Sequence, residues 1–74
     1  MLGKPKYERY DIVRFKFAQE EYEGYIDIVD SYGTFEQNEE PSYDIMVEKG
    51  NQPGLYKHCR ESRVIEKIGR YTKS

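Results

Sequence analysis

The chain reads as an all-β protein, five short strands in one small, closed or nearly closed barrel. Three observations predict this class. Apolar and polar residues alternate with a period of two along several short runs, as in DIVRFKF and SYDIMVE. Eight tyrosines, with many Val and Ile, supply side chains that favour a pleated, half-buried surface. Gly, Pro and polar clusters punctuate the runs at short intervals, and no stretch shows helical periodicity, a heptad pattern or an internal repeat. Closure of such a sheet would remove the edges that otherwise invite aggregation.

The elements follow in order. Residues 1–7 form a polar lead-in containing Gly3 and Pro5, residues 8–69 the single domain, and residues 70–74 a polar tail expected to fray. Asp11 to Phe17 is the first strand, with Val13, Phe15 and Phe17 inward and Arg14 and Lys16 outward. Gln19 to Glu21 makes a short turn. Tyr22 to Asp30 is the second strand, with Gly24, Ile26 and Ile28 on one face and Tyr25 and Asp27 on the other. The longest connection, Ser31 to Pro41, carries Gly33, a polar EQNEE tip and the aromatic residues Tyr32 and Phe35. Ser42 to Glu48 is the third strand, with Tyr43, Ile45 and Val47 inward and Asp44, Met46 and Glu48 outward. The KGNQPG stretch (Lys49 to Gly54) closes a hairpin. Leu55 to Cys59 is a short fourth strand, Arg60 to Ser62 a 3₁₀-like turn, and Arg63 to Ile68 the fifth strand.

With 74 residues the chain has room for one small core, near the lower limit at which apolar burial alone holds a fold. A single cysteine, Cys59, excludes an internal disulfide and any four-cysteine zinc site. No apolar run approaches the ~18 residues of a membrane span, and MLGKPKYERY lacks the apolar centre of a secretory signal. The expected location is the cytoplasm, without membrane contact.

Two features resemble SH3-like barrels of the KOW/Tudor kind. One is the opening Y-D-I-V-R-F strand, a short turn and then E-G-Y-I-D-I-V, in which Gly24 stands where KOW-type motifs keep a glycine. The other is the 3₁₀-like turn before the last strand. The resemblance covers Tyr10 to Ile68 and implies a five-stranded SH3-like barrel. The runs I-V-D-x-Y-G-x-F, P-S-Y-D-I and L-Y-K-H-x-x-E-S are similar to those of a family of small uncharacterised bacterial proteins from Gram-positive genomes and mobile elements. That likeness implies a fold and no activity. The chain departs from peptide-binding SH3 domains in its short first loop and missing A-L-Y-D-Y run. It departs from KOW modules in placing Tyr10 where they keep a glycine before the first-strand Asp.

Catalytic chemistry is not expected. His58 and Cys59 are adjacent on a strand, so their side chains point to opposite faces and cannot act as a dyad. Cys59 is expected in the core beside Leu55, with His58 and Tyr56 outside. Asp27 and Asp44 could approach across neighbouring strands, but carboxylates spread over a solvated face do not make a metal site. No phosphate-binding loop, nucleophile elbow or zinc-protease helix motif occurs. No cofactor or metal is expected.

Charge order is the sharper signal. Phe17 to Glu48 holds ten carboxylates and no Lys or Arg, while the blocks before and after it carry net charges of +3 and +5. Two binding surfaces follow. The second and third strands and their loop present Tyr25, Asp27, Tyr32, Phe35, Asp44 and Met46, a surface suited to a basic protein partner. The first, fourth and fifth strands would gather Tyr10, Arg14, Lys16, Tyr56, Lys57, His58, Arg60, Arg63 and Lys67, residue types that contact phosphates and stack on bases. The sequence leaves both readings open, protein interaction first and nucleic acid second, together with the oligomeric state.

Overall fold

The computed structural model describes residues 4–33 and 39–72. Five antiparallel strands, β1 (Asp11–Phe17), β2 (Glu20–Asp30), β3 (Ser42–Val47), β4 (Gly54–Arg60) and β5 (Val64–Arg70), form one sheet. Their order is β4-β3-β2-β1-β5, and a 3₁₀ turn over Glu61–Arg63 leads into β5. The all-β class and the turn before the last strand match the sequence reading, the turn lying one residue later than expected. Among the described residues no ladder joins β4 to β5, so these strands are the edges of an open sheet.

A two-residue hairpin joins β1 to β2. Phe17 pairs with Glu20, and Ala18 and Gln19 between them have φ of 50° and 67°. Left-handed backbone at both central positions matches the twist of the flanking strands. The turn therefore lies at Ala18–Gln19, not at Gln19 to Glu21.

Bulges decide which side chains reach the core. In β2 the pairing passes from Ile26↔Ile45 to Ile28↔Asp44, leaving Asp27 as the extra residue. The alternation flips there: Ile28, expected inward, is exposed, and Val29 packs on the core instead. In β4 the pairing passes from Cys59↔Tyr43 to Tyr56↔Ile45, with the extra residue in Lys57–His58 and His58 at φ 59°. Tyr56 and Cys59 thus both turn inward, whereas Leu55 pairs with Met46 and is exposed. The expected places of Tyr56 outside and Leu55 beside Cys59 are corrected by this one irregularity. Phe17, also expected inward, is 41% exposed because it lies at the hairpin end. Extra residues at Ile65 and Ile68 in β5 leave both exposed along that edge.

The core consists of Val13, Phe15, Ile26, Tyr43, Ile45, Val47, Cys59 and Val64. Tyr7, Tyr22, Val29 and Tyr56 pack around it, the tyrosines burying their rings and keeping their hydroxyls at the rim. Tyr22 and Tyr56 lie 5.0 Å apart between ring centroids, and Tyr56 meets Phe17 edge-on at 5.0 Å. Gly24 is buried on the inner face, with the Met46 backbone of the neighbouring β3 directly against it. A Cβ there would lie 2.9 Å from the Met46 carbonyl carbon and closer still to its oxygen.

The 3₁₀ turn is fastened from both sides. The Tyr43 hydroxyl donates to Glu61 Oε2 at 2.6 Å, the Lys6 N–H to the same oxygen at 3.0 Å, and the Glu61 N–H to the Pro41 carbonyl at 2.9 Å. Ser62 donates its N–H and hydroxyl to the Glu40 carboxylate. Tyr7 meets Tyr43 edge-on at 5.8 Å, so packing reaches back to the residues just ahead of the domain. At the opposite end of β1 the buried Asp11 carboxylate accepts from Arg70 Nη1 at 2.9 Å and from the Glu8 N–H at 2.9 Å, with Lys67 Nζ at 3.3 Å.

Candidate functional site

The face of the sheet opposite the core carries a row of apolar side chains. Ile12 pairs with Tyr25, Tyr25 with Met46 and Met46 with Leu55, so the row crosses four strands. It forms part of the floor of an open groove of about 1120 Å³. One wall is the β1–β2 hairpin with Glu20, Glu21 and Glu23; the other is the β3–β4 connection, from Glu48 to Gln52. Tyr71 closes one end, stacked on Tyr25 with ring centroids 4.2 Å apart and planes 20° apart.

Tyr10 lies just beyond this end, outside the groove lining but against Tyr25 and Tyr71. Its backbone is left-handed, with φ 74°, a conformation that bulky side chains rarely adopt. It is fixed on both sides, the Tyr10 N–H donating to the Ile26 carbonyl at 2.7 Å and the Tyr10 carbonyl accepting from the Tyr71 N–H at 2.7 Å. The Tyr10 ring lies 6.2 Å from both Tyr25 and Tyr71. The Arg9 guanidinium sits 4.7 Å above the Tyr10 ring and 3.6 Å from Asp27 Oδ1. The Tyr25 hydroxyl is pushed above its usual pKa, first by burial and then by the Glu48 carboxylate, with smaller contributions from Tyr71, Asp27 and Tyr10. The aromatic floor is therefore flanked by negative charge.

Of the residues expected on an acidic aromatic surface, Tyr25 and Met46 line the groove together, while Asp27 lies outside its lining, facing Arg9. Asp44 lies apart, opposite Ile28, and accepts the His58 N–H at 3.0 Å. Tyr32 is 77% exposed and does not line the groove. Phe35 and residues 36–38 of the loop tip lie outside the described residues. Asp27 and Asp44 engage different partners, and among the described residues no three His, Cys, Asp or Glu side chains converge as a metal site requires.

The basic set is divided by strand pairing: β1 and β5 are neighbours as expected, whereas β4, which carries Lys57, His58 and Arg60, pairs with β3 and shares no ladder with β5. Arg14 pairs with Glu66 at 2.6 Å and Glu23 at 3.9 Å, and Lys67 pairs with Asp11. Lys16 lies opposite Glu21, Tyr56 is turned to the core, and Arg63 ends the 3₁₀ turn. Cys59 is buried, and burial with the nearby Asp44 carboxylate pushes its thiol from the usual 9.0 up to about 11, which keeps it an unreactive thiol at neutral pH.

Ile12, Arg9 and Tyr71 were not singled out in the sequence. Tyr71 stands two residues beyond Gly69, which pairs with Ile12, so alternation carries it onto the same face only once that register is known. Compared with known proteins, the chain matches no family model, no curated sequence and no solved structure.

Proposed function

We propose that this chain is a non-catalytic binding module, an SH3-like barrel in its strand order, whose outer groove receives an extended basic segment of a protein partner. The observation that carries the reading is the groove itself: Tyr25, Met46 and Tyr71 along its floor, with four carboxylates, Glu20, Glu21, Glu23 and Glu48, against two cations, Arg14 and Lys49, in its lining. Aromatic and methionine side chains give contact area that adapts to a ligand, and the carboxylates select positive charge. The left-handed backbone at Tyr10 supports the SH3-like reading, because related modules keep a glycine there. The test is NMR shift mapping with an extended peptide alternating arginine or lysine with aliphatic residues, against its glutamate counterpart. The basic peptide is expected to shift Tyr25, Met46 and Tyr71, and Tyr25→Ala to weaken binding about tenfold. Equal shifts with both peptides, or none, would sink this reading.

Nucleic-acid binding is a second reading, favoured by one observation. Lys57, Arg60 and Arg63 are exposed on β4 and the 3₁₀ turn, with no ion pair to a carboxylate among the described residues. It predicts oligonucleotide binding that falls steeply with salt and is lost on Arg60→Glu. Salt-independent binding would rule it out.

A further inference from the structure

Two backbone irregularities and the end of β5 converge at the tyrosine end of the groove. The left-handed Tyr10 turns its ring onto the outer face, the bulge in β2 places Asp27 beside it, and the end of β5 brings Tyr71 onto Tyr25. Strained backbone held by strong hydrogen bonds on both sides is a device for fixing side chains that a fold alone would not place. What they form already contains a ligand-like group: the planar Arg9 guanidinium, 4.7 Å above the Tyr10 ring and 3.6 Å from Asp27 Oδ1.

Arg9 is loosely held. Its side chain is 60% exposed, and the 3.6 Å separation from Asp27 is longer than a hydrogen bond. It belongs to the residue next to Tyr10, so it can swing into solvent without moving the ring. The tyrosines and Asp27 would remain in place, because their positions depend on backbone hydrogen bonds and strand pairing.

Resting on the groove reading above, we propose that this seat takes the guanidinium of an arginine presented by the partner segment, and that Arg9 occupies it in the free protein. Arg9 is then a competitor in cis, which lowers the apparent affinity by the fraction of molecules in which the seat is filled. The seat prefers arginine to lysine, since a planar, weakly hydrated cation stacks on a ring while pairing with a carboxylate.

The experiment compares the groove-binding peptide carrying one arginine with the same peptide carrying lysine at that position, on wild-type protein and on Arg9→Gln, Arg9→Lys and Asp27→Asn. Arg9→Gln is expected to tighten the arginine peptide roughly three- to sixfold, the factor set by breaking one exposed cation–π contact first. Arg9→Lys is expected to tighten it less, Asp27→Asn to weaken it, and the lysine peptide to show a smaller gain. Unchanged or weaker binding to Arg9→Gln, with Tyr25 and Met46 still shifting, overturns the arginine seat and leaves the groove reading intact. Absence of shifts at Tyr25 and Met46 with every peptide overturns both.

Discussion

Replacing Gly24 by alanine tests the closest approach in the fold. The position needs no left-handed backbone, so the penalty comes from space alone. An added Cβ would lie 2.9 Å from the Met46 carbonyl carbon and 3.0 Å from Ile45 Cγ2, whereas ordinary contact begins at 3.4 Å. The nearest neighbour, the Met46 carbonyl oxygen, is backbone and cannot rotate away. β2 and β3 must therefore separate by roughly an ångström where Tyr25 pairs with Met46 and Ile26 with Ile45. One or two ladder hydrogen bonds weaken, at about 0.5–1.5 kcal/mol each. Overpacking adds about 1–3 kcal/mol, and the stiffer unfolded chain returns about 0.4–1 kcal/mol. The net is centred on ~3 kcal/mol, within a span of about 0.5–5.5 kcal/mol, against a total of about 4–11 kcal/mol for a domain of this size.

Thermal unfolding followed by far-UV circular dichroism reads this as a fall of about 10–25 °C. The control is Gly69→Ala on β5, where the Cβ would meet only Ile12 Cδ1 at 3.8 Å. That variant is expected to unfold within about 3 °C of the wild type. If Gly24→Ala unfolds no earlier than Gly69→Ala, the close approach of the Met46 backbone to Gly24 is refuted, and with it the placing of Tyr25 beside Met46.

Three further perturbations probe the supports of the site. Tyr43→Phe removes the hydroxyl that donates to Glu61 at 2.6 Å and loosens the 3₁₀ turn; a loss of about 1–2 kcal/mol is expected from urea midpoints, and no loss would show the bond to be idle. Exchanging Ala18–Gln19 for Asn–Gly supplies the residues a left-handed two-residue hairpin favours, so the midpoint should rise by about 4–8 °C, and a fall would mean a different turn. Raising the pH destabilises the fold, because the folded state holds the Cys59 proton more tightly than the unfolded chain. That contribution is complete below pH 9.0 and disappears as the pH climbs through about 11. Burial, then the hydrogen bond to Glu61, raises Tyr43 in the same sense. Cys59→Ala should flatten the stability profile between pH 9 and 11, and an unchanged slope would contradict the assignment.

The sequence revealed strands where the backbone stays regular. In β1 alternation placed Val13 and Phe15 correctly because pairing to β2 runs without a bulge as far as the hairpin. It failed at Ile28, Leu55 and Tyr56 because the bulges at Asp27 and in Lys57–His58 carry no glycine to mark them. Left-handed backbone at Tyr10 and His58 is invisible for the same reason: the residues that adopt it are not those that usually signal it. Half of the site was legible, since Tyr25, Met46 and Asp27 follow from period-two alternation on two recognisable strands. The Tyr10–Tyr71 end was not, because it arises from a contact between residues 61 positions apart, at the two ends of the domain.

Charge order was legible, but its meaning changes in three dimensions. The basic ends of the chain do not gather into a positive face around β1 and β5. Arg9 meets Asp27, Arg14 lies between Glu23 and Glu66, and Lys67 and Arg70 converge on Asp11. Apart from Asp11 these pairs are largely exposed, each contributing about 0–1 kcal/mol, so their weight in stability is small. Their larger effect is on the field. Cations of the outer β1–β5 side are neutralised close to where they arise, while Glu20, Glu21 and Glu48 along the groove have no cation assigned to them by an ion pair among the described residues. Arg14 and Lys49 also line the groove, so with screening over ~8 Å its four carboxylates, Glu20, Glu21, Glu23 and Glu48, leave a local excess of negative charge there and not a purely acidic wall. On the reading proposed above, a basic segment would meet these carboxylates beside the aromatic floor, and the group it would displace is the Arg9 guanidinium held near Tyr10 and Asp27.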